Sequence, residues 1–171
     1  MNDIYGYTVP VFIKSLGGLK NVLTKAQTSI KEADKDEAVL LADRLAPDMF
    51  PLVKQVQVAC DNAKGATARL SGREAPKFDD TEQTIDELIA RIDATIEFMH
   101  SVPESAFADA ATRRIVLPYY ADKFMTGLDY AREYALPNFF FHVVTAYGIV
   151  RKNGIAIGKA DYMNNPTFTA L

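Results

Sequence analysis

The chain has 171 residues, of which 49% are hydrophobic and 24% are charged, and its formal net charge is −3. This length suits one domain with a substantial core, and the composition is typical of a folded globular protein. The weak negative charge gives no electrostatic basis for binding nucleic acid or an anionic membrane surface, so we predict neither partner.

Cysteine content and hydropathy indicate the compartment. The single cysteine, Cys60, excludes an intramolecular disulfide and a multi-cysteine metal cluster. No apolar run reaches the ~18 residues that a membrane span needs, and the N-terminal segment has no basic region like that of a signal peptide. We therefore predict a cytoplasmic protein with a single domain over residues 1–171.

Apolar residues at three- and four-residue spacing predict a first helix over Val11–Ile30. The glycine pair Gly17 and Gly18 weakens this helix by about 1 kcal/mol per glycine relative to alanine, a cost that suits a close helix contact. A short helical piece follows in residues 36–45. A second long helix opens at Pro51 and ends near residues 71–72, with an apolar stripe built mostly of small residues.

The third long helix has the clearest apolar stripe, from Ile85 to Met99. Two pairs before it have the spacing of capping boxes, Asp80 with Gln83 and Thr84 with Glu87. Both pairs predict a helix start in this segment.

The pattern then changes between Pro103 and Gly127, where β-branched and aromatic residues flank a predicted turn at residues 121–122. A small hairpin or extended excursion is expected there. A fourth long helix runs from about Ala135 to Asn153, and an irregular tail follows it. Four long helices with one excursion predict an all-α, up-down-up-down four-helix bundle, in which sites form from side chains on facing helices.

The fourth helix carries a polar line through apolar sequence, "NFFFHVVT". At 100° per residue, Asn138, His142 and Thr145 lie on one side of a helix that is apolar nearly all round and is therefore buried. Burying these groups without partners costs on the order of 1–3 kcal/mol each. They form either a hydrogen-bonded network between helices or a pocket in which Asn138 and His142 face one ligand.

Three segments carry a family resemblance, and they are "LAPDMFPLVKQVQVACDNAKGATARLSG", "ALPNFFFHVVTAYGIVRKNG" and "IGKADY". They resemble an uncharacterised branch, a domain of unknown function, of the DinB-like superfamily of four-helix bundles. The resemblance covers nearly the whole chain. It implies the bundle fold and, in the wider superfamily, a divalent metal on three histidines, one on the second helix and two spaced H-x-x-x-H on the fourth.

In this sequence the resemblance assigns the fourth-helix ligand positions to Asn138 and His142 and the second-helix position to Asp61 or a neighbour. Only His142 keeps the ligand type, and an amide is a poor ligand for a borderline ion. The set implies a weakly bound zinc, nickel or manganese, or a metal-free constellation in which Asp61 orients His142 as a general base. Gln57, one turn before Asp61, and Thr145 complete the predicted pocket.

Three functions follow from these residues. The first is a small-molecule-binding bundle with a degenerate metal site and no assignable reaction. The second is a metal-dependent enzyme of the DinB-like thiol-transferase or hydrolase type, with Asp61 and His142 as ligands. The third, compatible with either, is a homodimer that pairs through helix surfaces. A thiolate nucleophile at Cys60 with His142 as base is an alternative to an inert core cysteine.

Overall fold

The computed structural model describes residues 3–120 and 122–169. In chain order the helices are α1 (Val9–Glu32), α2 (Glu37–Ala42), α3 (Leu52–Ser71), α4 (Ile85–Ser101), α5 (Gly127–Asp129), α6 (Leu136–Lys152) and α7 (Lys159–Met163). Two short strands, β1 (Arg114–Ile115) and β2 (Met125–Thr126), lie between α4 and α5. Single turns of 3₁₀ helix span Glu104–Phe107 and Pro118–Tyr120, and a π-helical segment spans Tyr130–Ala135. The all-α class and the four long helices are confirmed.

The ends of the long helices follow from local sequence. Thr84 caps α4 through its hydroxyl, which accepts a hydrogen bond from Glu87 N at 3.2 Å, while the Glu87 carboxylate accepts from Thr84 N at 3.0 Å. This confirms the second predicted capping box. Asp80 does not cap, because its carboxylate contacts Lys54 and Arg91 instead. Gly72 ends α3 in the left-handed conformation, with φ of 71°.

The helix directions differ from the expected up-down-up-down order, because α3 and α4 start at the same end of the bundle. Lys54 in the first turn of α3 pairs with Asp80, close before α4, and the Ile85 N–H donates to Glu37 in α2. The connection 72–84 runs back along the bundle, and thirteen extended residues reach roughly 40 Å, more than the roughly 30 Å of a twenty-residue helix. The order is therefore up-down-down-up.

The excursion between α4 and α6 is a hairpin, as predicted. The strands β1 and β2 are antiparallel, with Arg114 opposite Thr126 and Ile115 opposite Met125. Of the predicted turn at residues 121–122, Ala121 lies outside the described residues. The fourth long helix begins earlier than expected, because α5, the π-helical segment and α6 are continuous. Pro137 cannot donate to the carbonyl four residues earlier, and the wider π turn before it accommodates that loss.

The C-terminal tail is not wholly irregular, because α7 packs against α1. A Cβ added at Gly18 would lie 2.3 Å from the backbone oxygen of Tyr162, and one added at Gly17 would lie 2.7 Å from Asn164 Nδ2. The glycine pair therefore permits this close approach. Within residues 3–120 and 122–169, no helix combines the length and apolar character that crossing a bilayer requires.

Candidate functional site

His142 on α6 lies against α3. Its Nδ1 is 2.7 Å from Gln55 Oε1, and the Gln55 Nε2 donates to the carbonyl oxygen of Phe50 at 3.0 Å. Because a carbonyl can only accept, this second bond fixes the Gln55 amide with its oxygen toward the imidazole. The Nδ1 of His142 therefore carries the proton, and Nε2 keeps its lone pair. Burial also lowers the pKa of His142 below 6.5 and keeps the ring neutral.

One turn before His142, Asn138 also contacts α3. The Asn138 Nδ2 donates to Asn62 Oδ1 at 2.8 Å. The side-chain nitrogen of Asn62, Nδ2, is also a donor, but it is buried and has no hydrogen-bond partner among the described residues. Since α3 and α6 are antiparallel, His142 meets Gln55 and Asn138 meets Asn62. The polar line predicted on α6 is thus matched by a polar line on α3.

Asn62 and Asn138 line a cleft of about 420 Å³ between α3, α6 and the hairpin. Its other walls are aromatic, apolar and charged residues, namely Phe50, Lys54, Val58, Asp61, Arg69, Leu117, Pro118, Tyr119 and Tyr134. The cleft therefore joins amide groups to aromatic surface, a combination that is typical of small-molecule sites.

The two cations of the cleft differ in how they are neutralised. Lys54 forms an ion pair with Asp80. Arg69 is half-buried, and its one side-chain hydrogen bond in the described part of the chain is to the hydroxyl of Tyr130, at 3.4 Å. No acidic group among the described residues lies within 4.0 Å of Arg69. This guanidinium therefore has no acidic partner at the cleft wall.

Asp61 lines the same cleft, but its carboxylate is engaged on the side of α4. Its Oδ1 lies 3.0 Å from Arg91 Nη2 and 3.1 Å from Lys64 Nζ. Gln57 also points away from His142, because its Nε2 donates to Glu82 Oε2, in the connection before α4, at 2.8 Å. No hydrogen bond or ion pair joins Asp61 to His142 in the described structure, so the predicted orientation of His142 belongs to Gln55 instead.

Arg91 forms the centre of a clasp, which we define as Asp61, Asp80, Glu82 and Arg91. The Arg91 side chain is 2% exposed, and it pairs with Glu82 at 2.8 Å and with Asp80 at 3.0 Å. Burial alone would raise the pKa of Glu82, but hydrogen bonds from Arg91 and Gln57 outweigh it and hold that pKa below 4.5. The clasp borders the cleft through Asp61.

Thr145 and Cys60 were predicted as site residues or alternatives, and neither has the contacts of one. Thr145 bonds within its own helix, because its hydroxyl donates to Phe141 O at 2.6 Å. Cys60 is fully buried, and burial raises the pKa of its thiol to about 12, which favours an inert core cysteine over a thiolate nucleophile. Gln55, Asn62 and Arg69 were missed, although Gln55 and Asn62 are seven residues apart, the spacing of one helix face.

The donor set does not fit a three-ligand metal centre. Asp61 is held by two cations, Asn138 binds Asn62, and His142 Nδ1 binds Gln55. Within the described ranges, no group of three or more His, Cys, Asp or Glu is arranged to hold a metal ion. An imidazole and a neutralised carboxylate also make a poorer set than the strong ligands that such centres use.

The fold and this site define a four-helix bundle with a polar cleft between its second and fourth long helices. The family model described as "Domain of unknown function (DUF1993)" matches residues 4–163, and the chain belongs to that family. It is also similar to the crystal structure of a DinB family member protein from Shewanella denitrificans, at 1.83 Å resolution. That match has 43% identity and a TM-score of 0.94 and covers 98% of this chain and 95% of the other. A search of curated proteins gave no match.

Proposed function

We propose that this protein is a small-molecule-binding bundle, and that its cleft is a degenerate form of the metal site of its relatives. One observation carries the proposal. Arg69, without an acidic partner among the described residues, shares the cleft with Asn62, whose Nδ2 is buried and unpartnered. Buried donors without acceptors are costly, and a bound ligand that supplies acceptors removes that cost.

The chemistry of these donors defines the ligand class. A planar guanidinium pairs with carboxylate or phosphate in two parallel hydrogen bonds, and an amide N–H donates to the same oxygens. Phe50, Tyr119 and Tyr134 add aromatic surface for the body of the molecule. The proposed ligand is therefore a small organic anion, with Asn138 and His142 positioning Asn62 and the wall of α3.

The test uses benzoate and phenyl phosphate as anions with compact bodies. We expect calorimetric binding to the wild type and NMR shift changes at the side-chain amides of Asn62 and Asn138. Arg69→Gln is expected to weaken binding at least tenfold, about 1.4 kcal/mol, because it removes the charge-assisted bonds. Exposed Arg73→Gln is the matched control and keeps wild-type affinity. Equal affinity in Arg69→Gln and wild type contradicts the proposal.

The alternative, a metal-dependent enzyme of the DinB-like thiol-transferase or hydrolase type, has one favourable observation. The tautomer of His142 leaves its Nε2 lone pair free. Elemental analysis for zinc, nickel and manganese, on protein purified without chelators, distinguishes the two functions. Stoichiometric metal that is lost in His142→Ala makes the enzyme the leading function and replaces the degenerate-site proposal.

We also propose a cytoplasmic homodimer. An apolar patch on the outer face of α6 supports the homodimer, formed by Phe141 and Val144 at 55% and 51% exposed and by Leu45, at 45%, which lies next to Gly148 of the same helix. Patches of this kind on a folded protein often mark an interface. Sedimentation equilibrium is expected to show dimers at micromolar concentration, and monomer alone contradicts the homodimer.

A further inference from the structure

A second cavity adjoins the cleft beneath the hairpin. Its volume is about 260 Å³, and its walls are Ile115, Leu117, Tyr120, Lys123, Phe124, Met125 and Tyr134. Apart from the Lys123 amine and the tyrosine hydroxyls, these side chains are apolar. The hairpin contributes most of the wall, and Tyr134 contributes the side toward the helices.

Two residues line both cavities. Leu117 and Tyr134 belong to the wall of the cleft and to the wall of the second cavity. The Tyr134 ring stacks on Tyr130, with ring centroids 5.8 Å apart and an interplanar angle of 20°. Tyr134 therefore stands at the junction with its ring stacked on Tyr130, and Leu117 and Tyr134 form the wall that the two spaces share.

The guanidinium and side-chain amide groups belong to the cleft alone. Arg69, Asn62 and Asn138 all lie in the cleft, and none of them lines the second cavity. Ile115, Phe124 and Met125 line only the second cavity. A ligand that occupies both would place its charge at one end and its apolar part at the other.

We infer that the two cavities bind one amphipathic monoanion, a carboxylic acid with an apolar tail. Its carboxylate accepts from Arg69 and Asn62 in the cleft, and its tail passes between Leu117 and Tyr134 to end against Met125 beneath the hairpin. The inference rests on the proposed function, since it assigns the class of molecule that the cleft takes. It adds that affinity is set by the length of the apolar tail.

The size of the effect follows from the burial of methylene groups. Each methylene that leaves water for an apolar cavity improves affinity about fourfold. Over a series of acids the gain continues until the tail fills the space beneath the hairpin. If only the anion site bound the acids, affinity would not depend on the length of the tail.

The experiment is calorimetric titration of the full chain with acetate, butyrate, hexanoate and octanoate. In the wild type we expect affinity to rise with each added pair of methylenes. Met125→Asp places a charge in the second cavity alone, so it is expected to abolish the rise beyond butyrate, where the tail enters that cavity, and to leave the affinities for acetate and butyrate unchanged. Phe124→Ser, at an exposed site on the same wall, is a second variant with the same expected direction, and thermal melts check that both fold.

The outcomes separate this inference from the proposed function. Binding of all four acids with one affinity, lost in Arg69→Gln, overturns the amphipathic ligand and keeps the anion site. A length dependence that persists in both Met125→Asp and Phe124→Ser overturns the placement of the tail. No binding of any acid, together with no binding of benzoate, overturns both.

Discussion

Replacing Arg91 with alanine is expected to lower the free energy of unfolding by about 3 kcal/mol, because it removes a buried guanidinium and leaves the Glu82 carboxylate, 11% exposed, without its cationic partner. Among the described residues, Arg91 is the one guanidinium that reaches Asp61, Asp80 and Glu82, at 3.0, 3.0 and 2.8 Å. Without it, three carboxylates from α3 and the connection 72–84 face one another with Lys54 and Lys64 as the remaining cations nearby.

The clasp is expected to have a large effect because it holds the connection that reverses along the bundle. The described residues 73–84 form no helix or strand, and Asp80 and Glu82 attach that segment to α3 and α4 through Arg91. The Phe78 ring adds contact, with Lys64 Nζ 4.1 Å and Arg91 Cζ 5.5 Å from its centroid. Loss of Arg91 is therefore expected to weaken the attachment of residues 73–84 to both α3 and α4.

The pH dependence of this prediction has a definite sign. Against the opposing effect of burial, hydrogen bonds and charges from Lys54 and Arg91 hold the pKa of Asp80 below 3.8, and bonds from Arg91 and Gln57 hold that of Glu82 below 4.5. A depressed carboxyl pKa contributes stability that is fully present above the unfolded pKa and is lost as pH falls through the folded pKa. Wild-type stability is expected to fall below pH 4.5, and Arg91→Ala to show a smaller fall.

Urea denaturation of wild type, Arg91→Ala and Arg91→Lys at neutral and acidic pH measures both effects. Arg91→Lys is expected to be intermediate, because an ammonium keeps the charge and loses the fork geometry. Arg73→Ala, at an exposed arginine in the same connection, is the control and changes stability by less than about 0.5 kcal/mol. An Arg91→Ala variant as stable as this control contradicts the structural role of the clasp.

Local sequence predicted the elements of the fold well and their directions less well. The Thr84 box joins residues three apart in sequence, whereas the glycine pair in α1 indicated a close contact without identifying Tyr162 and Asn164 as its partners, and the structure bears out both features. The direction of α4 depends on where the long connection 72–84 lies, and its register against α3 depends on the pair of Arg91 with Asp61, thirty residues away in sequence. Helix periodicity carries no information on that contact.

The candidate site was likewise predictable from the sequence only in part. The polar line at Asn138 and His142 could be read from helix spacing, whereas its partners on α3 depend on the rotation of one helix against the other. Asn62 binds Asn138, and the preceding residue, Asp61, binds Arg91. Neighbouring residues point about 100° apart on a helix, so an error of one residue in the predicted α3 position selects the wrong side chain. Arg91 itself lies three residues after buried Leu88 and four before buried Thr95, a spacing that signals a buried position.

Replacing His142 with alanine is expected to lower the free energy of unfolding by about 2 kcal/mol. The buried Gln55 Oε1, 2.7 Å from His142 Nδ1, loses its donor, and an unpaired buried acceptor costs about 1–3 kcal/mol. His142→Asn, which keeps a donor near Gln55, is expected to restore part of the loss. Exposed His100→Ala is the control and is expected to change stability by less than about 0.5 kcal/mol.

The same variant tests the titration of His142. Burial puts the folded pKa of His142 below its unfolded value of 6.5, so the unfolded chain binds the proton more readily. Stability is then fully present above pH 6.5 and falls as pH drops from 6.5 toward the folded pKa, above the range near pH 4 where most carboxyl groups titrate. Urea denaturation between pH 7.5 and about 5 is expected to show this fall in wild type and in His100→Ala, and not in His142→Ala. A fall of equal size in His142→Ala would assign it to another group and contradict a buried, neutral imidazole at His142.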